Sequence, residues 1–364
     1  MITQSTDLGA AIETAERDAV VVWRGERIPF LAMPARIAAT DNRIERDGLY
    51  ESTMEAVEAL NPAYRARHAA HRDPRSTPAE LAPLATELGR FAVMSETEYH
   101  AALRRYLALI GIEHGDATLA DVWHIERGAA WSNWFGTRDV GRAAVETGRP
   151  APQGDVPQGW RGGWSALAGE AEGGTFGASV VRDLHGWLVG DPTWLASVLH
   201  MAADEIASFA DFAAFARLWQ VRLAIGIVLY EVRLAETRDE ALERAYFSGI
   251  VGHMTGVAMP EAAYLRFLGT PGSAAADVER AIVAAAMADR LETRFGPAWW
   301  SVDDARSAVV DLEAASTVED ALAKVGYDAL DWRPLLRQIR TRLIGEMSGY
   351  GGPNITTRAG TRKV

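Results

Sequence analysis

Apolar residues recur every three and four positions through most of this chain, the spacing that gathers them on one side of an α-helix. Between residues 201 and 236 the series runs Ile206, Phe209, Phe212, Ala213, Leu218, Val221, Ile225, Val228, Leu229, Val232. The same spacing runs from Ser273 to Phe295, where Gly296-Pro297 stops it. It returns over 331–347, which Gly349, Gly351, Gly352 and Pro353 close. Residues 42–60 and 96–110 predict two more helices, with Asn61-Pro62 and Asp73-Pro74 as punctuation. Residues 19–30 fit either a hairpin turning at Gly25 or part of a helix. Strand signals elsewhere are weak, and no repeat of fixed period is present. The pattern predicts a mainly α protein.

One stretch breaks the pattern. Residues 148–177 hold Pro150, Pro152 and Pro157 and a run of glycines from Gly148 to Gly177. Such a segment inside a compact domain is a functional loop or a degenerated element. Its place predicts two helical lobes around a cleft, over 1–150 and 151–347, followed by a Gly-rich, basic tail over 348–364.

Composition narrows the chemistry. The chain has no cysteine, which removes disulfides, thiol nucleophiles and Cys-based metal sites. Its net charge of -12 disfavours a large nucleic-acid footprint, so DNA is not an expected partner. Positive charge concentrates only near the C-terminus, at Arg337, Arg340, Arg342, Arg358, Arg362 and Lys363. That run reads either as a local anion-binding patch or as a solvated helix face with a frayed tail. Lysine occurs only at 324 and 363, which leaves little room for Schiff-base chemistry. No uncharged apolar run reaches the roughly 18 residues of a membrane span. Met1-Ile-Thr-Gln-Ser-Thr-Asp7 lacks the features of a secretion signal. The expected location is cytoplasmic, with no membrane partner. Neither a G-x-G-x-x-G nor a P-loop occurs, and no cofactor is expected.

Four segments of the C-terminal half carry a resemblance. They are Asp191-Pro-Thr-Trp-Leu195, Leu218-Trp-Gln-Val-Arg-Leu-Ala-Ile-Gly-Ile-Val-Leu-Tyr-Glu231, Arg290-Leu-Glu-Thr-Arg-Phe-Gly-Pro-Ala-Trp-Trp300 and Val325-Gly-Tyr-Asp-Ala-Leu-Asp-Trp-Arg-Pro-Leu335. In this order they resemble the helical zinc metallopeptidases of the thimet-oligopeptidase-like class. The N-terminal third matches only as generic helices. The resemblance implies a large helical fold with a substrate cleft. It also implies a zinc ion held by H-E-x-x-H on one helix and a Glu on a later one. Here that motif is missing. Aligned on Gly162-Gly163, the chain reads Gly169-Glu-Ala-Glu-Gly173, so both His positions become Gly and the Glu survives as Glu170. The third ligand falls near Ser179, and no Glu occurs over 174–203. The family's oxyanion tyrosines, in a P-G-F-Y-A-A-Q-Y pattern, fall on Pro271-Gly-Ser-Ala-Ala-Ala-Asp-Val278. Joint loss of ligands and oxyanion donors predicts that no metal is bound and that peptide hydrolysis is gone.

What remains is a set of candidates around the former cleft. Glu170 is the candidate general base, or else a helix-surface carboxylate. Trp164, Arg182, Asp183, His185, Tyr230 and Tyr264 are candidate substrate-binding residues. Arg182 and His185, three apart on a helix, share a side. Two functions stay open. One is a transferase that moves an acyl or aminoacyl group to a small amine or hydroxylamine. Its donor would be a thioester or the acceptor end of a tRNA, by analogy with aminoacyltransferases of bacterial secondary metabolism. The other is a non-catalytic protein holding a peptide or apolar metabolite in the former cleft.

Overall fold

The computed structural model describes residues 11–71, 78–128, 175–188, 190–269 and 272–344. The mainly α expectation holds. Among these residues fourteen helices accompany one two-stranded sheet. Helix α1 spans 11–18 and leads into β1 (Val20–Trp23) and β2 (Glu26–Pro29). Helices α2 (Met33–Ala38), α3 (Arg43–His71), α4 (Pro78–Met94), α5 (Glu96–Leu109) and α6 (Leu119–Gly128) follow. Then come α7 (Phe176–Leu188), α8 (Pro192–Ser197), α9 (Ala203–Leu234) and α10 (Glu240–Thr255). The chain continues through α11 (Ser273–Phe295), α12 (Asp303–Glu313), α13 (Val318–Val325) and α14 (Arg333–Ile344).

The ambiguous segment 19–30 is a hairpin. Trp23 pairs with Glu26 across a two-residue turn, and both turn residues take positive φ, 49° at Arg24 and 84° at Gly25. That is the conformation a tight hairpin loop requires, and glycine adopts it without steric cost. Sequence punctuation misplaced one boundary. Asn61-Pro62 does not end the second helix, because α3 continues through Pro62 to His71. A mid-helix proline removes one hydrogen bond at a cost of about 3 kcal/mol. Packing on both sides offsets this. Val57 and Tyr64 are buried, the Tyr64 hydroxyl donates to Glu16 at 2.6 Å, and Asn61 Nδ2 donates to the Ala262 carbonyl at 3.0 Å.

Helix α9 organises the rest. Twenty of its 32 residues are buried, so it has almost no solvent face, and α4, α5, α8, α10, α11 and α14 all pack on it. By length and composition it could cross a bilayer, but 83% of its apolar window is buried within the protein. Its buried residues include two arginines, Arg217 and Arg222. Arg222 is 2% exposed, and among the described residues no carboxylate lies within ion-pair distance of it. Its Nε donates to the Met254 carbonyl at 2.7 Å, and Nη1 donates to the Ala92 carbonyl at 2.6 Å and to Ser95 Oγ at 3.1 Å. Its guanidinium lies over the Tyr99 ring. These bonds fasten α9 to the α4–α5 corner and to the end of α10.

The segments that carry the family resemblance have structural duties. Asp191 caps α8 by accepting from the N–H groups of Thr193 at 2.9 Å and Trp194 at 3.0 Å, and Trp194 fills the core. The second Asp191 oxygen accepts from Arg342 at 3.3 Å, and the Arg342 guanidinium lies 3.9 Å from the centre of the Trp187 ring. Burial draws Arg342 down to about 10, still charged at neutral pH. Trp299 and Trp300 are buried edge-to-face behind the Gly296 stop of α11. The arginines of α14 are paired as well: Arg337 meets Asp289 at 2.5 Å and Arg340 meets Glu98 at 2.6 Å, whereas Arg358, Arg362 and Lys363 lie outside the described residues.

Two substitutions test this packing. Arg222→Ala strands the Met254 carbonyl, leaves the Ala92 carbonyl with the Ser95 hydroxyl alone and opens a void, and a loss of about 3 kcal/mol in urea unfolding is expected. Gly177→Ala would place a methyl 2.0 Å from the Leu312 carbonyl oxygen, against which α7 packs. Overpacking of this kind lowers stability by about 2 kcal/mol, and an unchanged denaturation midpoint would contradict the close approach of α7 to the end of α12.

Candidate functional site

The expected site residues do not form one cluster. Glu170 and Trp164 lie outside the described residues. Arg182, Asp183 and His185 are half-buried on α7. Asp183 accepts from Arg217 of α9 at 3.4 Å, and on α11 the pair Asp277 and Arg280 adds two more charges close by. Tyr230 and Tyr264 belong elsewhere. Thirteen residues of α9 separate Arg217 from Tyr230, a rise of about 20 Å.

Tyr230 and Tyr264, far apart in sequence, do come together. Both are fully buried. The Tyr264 hydroxyl accepts from Arg65 of α3, and the Arg244 guanidinium of α10 lies 4.6 Å from the centre of its ring. Arg65 also reaches Glu240 at 3.0 Å and Glu243 at 3.4 Å. Arg244 grips both oxygens of Glu58, each at 2.7 Å, in the fork geometry that suits a carboxylate, and bonds Glu240 at 2.6 Å. Among the described residues the Tyr230 hydroxyl has no hydrogen-bond partner. Burial first, then the nearby Glu243 charge, pushes its ionisation far above the usual range, so it stays a neutral phenol.

Glu58 joins this network to an open groove. A cavity of about 670 Å³ runs along α3, lined by Tyr50, Glu51, Met54, Glu55 and Glu58, with Pro260 and Ala262 as its far wall. Asn61 holds the two walls together, donating to both Ala262 and Glu58. Glu51, Glu55 and Glu58 fall on one helix stripe, at i, i+4 and i+7. Arg244 neutralises Glu58 and lowers its pKa, whereas Glu51 and Glu55 are exposed and make no side-chain ion pair or hydrogen bond among the described residues. Sequence reasoning passed over this stripe. Its spacing is visible at 51, 55 and 58, but the wall that makes it a groove comes from residues about 200 positions away.

Two half-buried carboxyls add proton chemistry. Desolvation raises Glu126 to about 8 and Glu231 to about 7. Among the described residues Glu231 accepts one long bond, 3.4 Å, from the Gly272 N–H. It closes the Leu229-Tyr230-Glu231 run, yet the resemblance assigned it no role. For metal, no group of three or more His, Asp or Glu side chains is assembled among the described residues. His100 Nδ1 and His114 Nε2 stand 3.2 Å apart, within reach of a shared proton. His124 Nδ1 donates to the Ala38 carbonyl at 2.9 Å.

The raised Glu231 carboxyl has a thermodynamic consequence. Below its usual value of 4.5 it is neutral in the folded and unfolded chain alike. Between 4.5 and about 7 the unfolded chain gives up the proton first, so stability falls as pH rises through that window. Glu231→Gln and the parent should differ little at about pH 4. At about pH 8 the variant should be more stable by about 3 kcal/mol, read from denaturation at both pH values. No protein-family model matches this chain, and no curated protein does either.

Proposed function

We propose that the chain is a zinc-free protein on a metallopeptidase-like scaffold whose groove along α3 holds a small organic cation, an amine above all. The observation that carries this reading is the pair of exposed, unpartnered carboxylates Glu51 and Glu55 above an apolar floor of Met54 and Tyr50. An ammonium is the group two such carboxylates attract, and its carbon stem suits the floor and the Pro260–Ala262 wall. Neighbouring Glu58 already grips the resident guanidinium of Arg244. This is the binding reading of the former peptidase fold, with a charged ligand in place of an apolar one.

Acyl or aminoacyl transfer to a small amine, held at the α7 residues and apart from the α3 groove, is the second reading, favoured by the charged cluster of Asp183, Arg217, Asp277 and Arg280 beside α7. At neutral pH an amine is an ammonium, which has no lone pair to attack with, so transfer needs a base. In this reading the base is Glu170, with Trp164, Arg182, Asp183 and His185 shaping the donor side. The base takes one proton from the ammonium and releases it to solvent; the amine nitrogen then bonds the acyl carbon, the ester or thioester bond breaks, and the base passes the second nitrogen proton to the leaving oxygen or sulfur. The donor is a thioester or the acceptor end of an aminoacyl-tRNA.

Saturation-transfer NMR with n-butylamine tests the first reading. The amine is expected to bind, and Glu55→Gln should weaken it about threefold, as one partly exposed ion pair does. No binding at about 10 mM amine would overturn the reading. Mass spectrometry of the amine after incubation with charged tRNA or an acyl thioester tests the second. An acylated amine is expected from the parent and not from Glu170→Gln.

A further inference from the structure

Two imidazoles meet away from the groove and from the charged cluster of α7. His100 lies on α5, and His114 opens a short turn over His114–Asp116 between α5 and α6. Both are half-buried, their Nδ1 and Nε2 atoms stand 3.2 Å apart, and the rings cross edge to face at 74°. At that distance one nitrogen donates an N–H and the other accepts it. Two neutral rings can make this bond, and so can one charged and one neutral ring. Two charged rings cannot, because every imidazolium nitrogen is a donor, and the two N–H groups then face each other with like charges behind them.

The surroundings determine which side yields. His100 has no room to retreat. It packs on Gly256, which ends α10 with a φ of 65°, and a methyl at Gly256 would lie 3.0 Å from His100 Cε1. His114 sits in a turn whose neighbours Glu113, Gly115 and Asp116 are exposed. That turn hangs between fixed points. Ile112 is buried and its N–H donates to the Leu107 carbonyl at 3.0 Å, Arg43 of α3 donates to the Asp116 carbonyl at 3.1 Å, and the Ala117 carbonyl accepts from the Ala258 N–H at 2.8 Å. The charges acting on His100 are Arg222 of α9, His114 itself, and Glu96 and Arg104 one turn to either side on α5. Only Glu96 opposes the positive ones, with an oxygen 3.9 Å from His100 Nε2. Desolvation, then Arg222, holds His100 below its usual 6.5.

We propose that the His100–His114 contact is an acid-labile latch, closed while the pair holds at most one extra proton and open when both rings are charged. In the open form His114 turns out into water and carries the 113–116 turn with it, while α5 and α10 stay packed. The unfolded chain takes up its histidine protons near 6.5 and the folded pair resists the second one, so the stability of the closed form falls as pH drops below that value.

Hydrogen exchange of the full chain at about pH 7.5 and about pH 4.5, read by mass spectrometry and corrected for the intrinsic rate, tests the latch. Segments 111–117 and 257–259 should lose about tenfold in protection at the lower pH, while α9 keeps its own and shows that the chain remains folded. His114→Gln offers a neutral amide N–H in place of the ring, and protection should then be equal at both pH values. His114→Ala removes the contact and should show the low protection at both. Unchanged protection in the parent would overturn the proposal. So would a loss in His114→Gln as large as the parent's, or a parent-like pH response in His114→Ala, since either would assign the response to another group.

Discussion

A 32-residue helix with almost no polar face cannot stand in water, and this constraint governs the fold. Helix α9 buries twenty residues, so other helices must enclose it. The enclosure draws on both halves of the chain, with α4 and α5 from one and α10, α11 and α14 from the other. Hydrophobic burial supplies the drive but no unique rotation or register, because apolar surface packs against apolar surface in many ways. Arg222 supplies the missing specificity. A guanidinium in that interior is tolerable only where its N–H groups meet acceptors, and the acceptors are the ends of α4 and α10. A rotation of α9 would leave a charge unsolvated, so the neighbouring helices have one arrangement that satisfies it.

Periodicity made the helices legible where burial is one-sided and the ends are punctuated by glycine. Helix α11 runs from Ser273 to Phe295, as the spacing indicates, because Gly296 ends it. Pro62 misled because its local cost is outweighed by contacts made through Asn61 and Tyr64, whose partners lie far away in sequence. Val20 to Trp23 is a short apolar run with no period of its own, so only the positive φ of Arg24 and Gly25 distinguishes strand from helix.

The site was less legible, for a related reason. Tyr230 and Tyr264 were singled out, and they do meet, but with Arg65 and Arg244 rather than with Arg182, Asp183 and His185. An acidic stripe at 51, 55 and 58 looks in sequence like any solvated helix face. Its distinction comes from Pro260 and Ala262 standing opposite and from Arg244 occupying one of its three carboxylates. The quoted family segments, by contrast, stand out in sequence because they cap helices and fill the core. Asp191, Trp194, Trp299 and Trp300 do work that any protein of this shape needs, whether or not a metal is present. Such residues therefore bear on packing, while the chemistry must be argued from the charges left unpaired.

Glu231 gives the protein one further property. A carboxyl that titrates near 7 is protonated in part of the molecules and ionised in the rest at neutral pH. At neutral pH the protein then holds two protonation states, exchanging a proton with solvent. They differ in net charge by one, at a point on α9 beside the start of α11. Any ligand that prefers one state will shift the balance, and the charge of the protein will move with it.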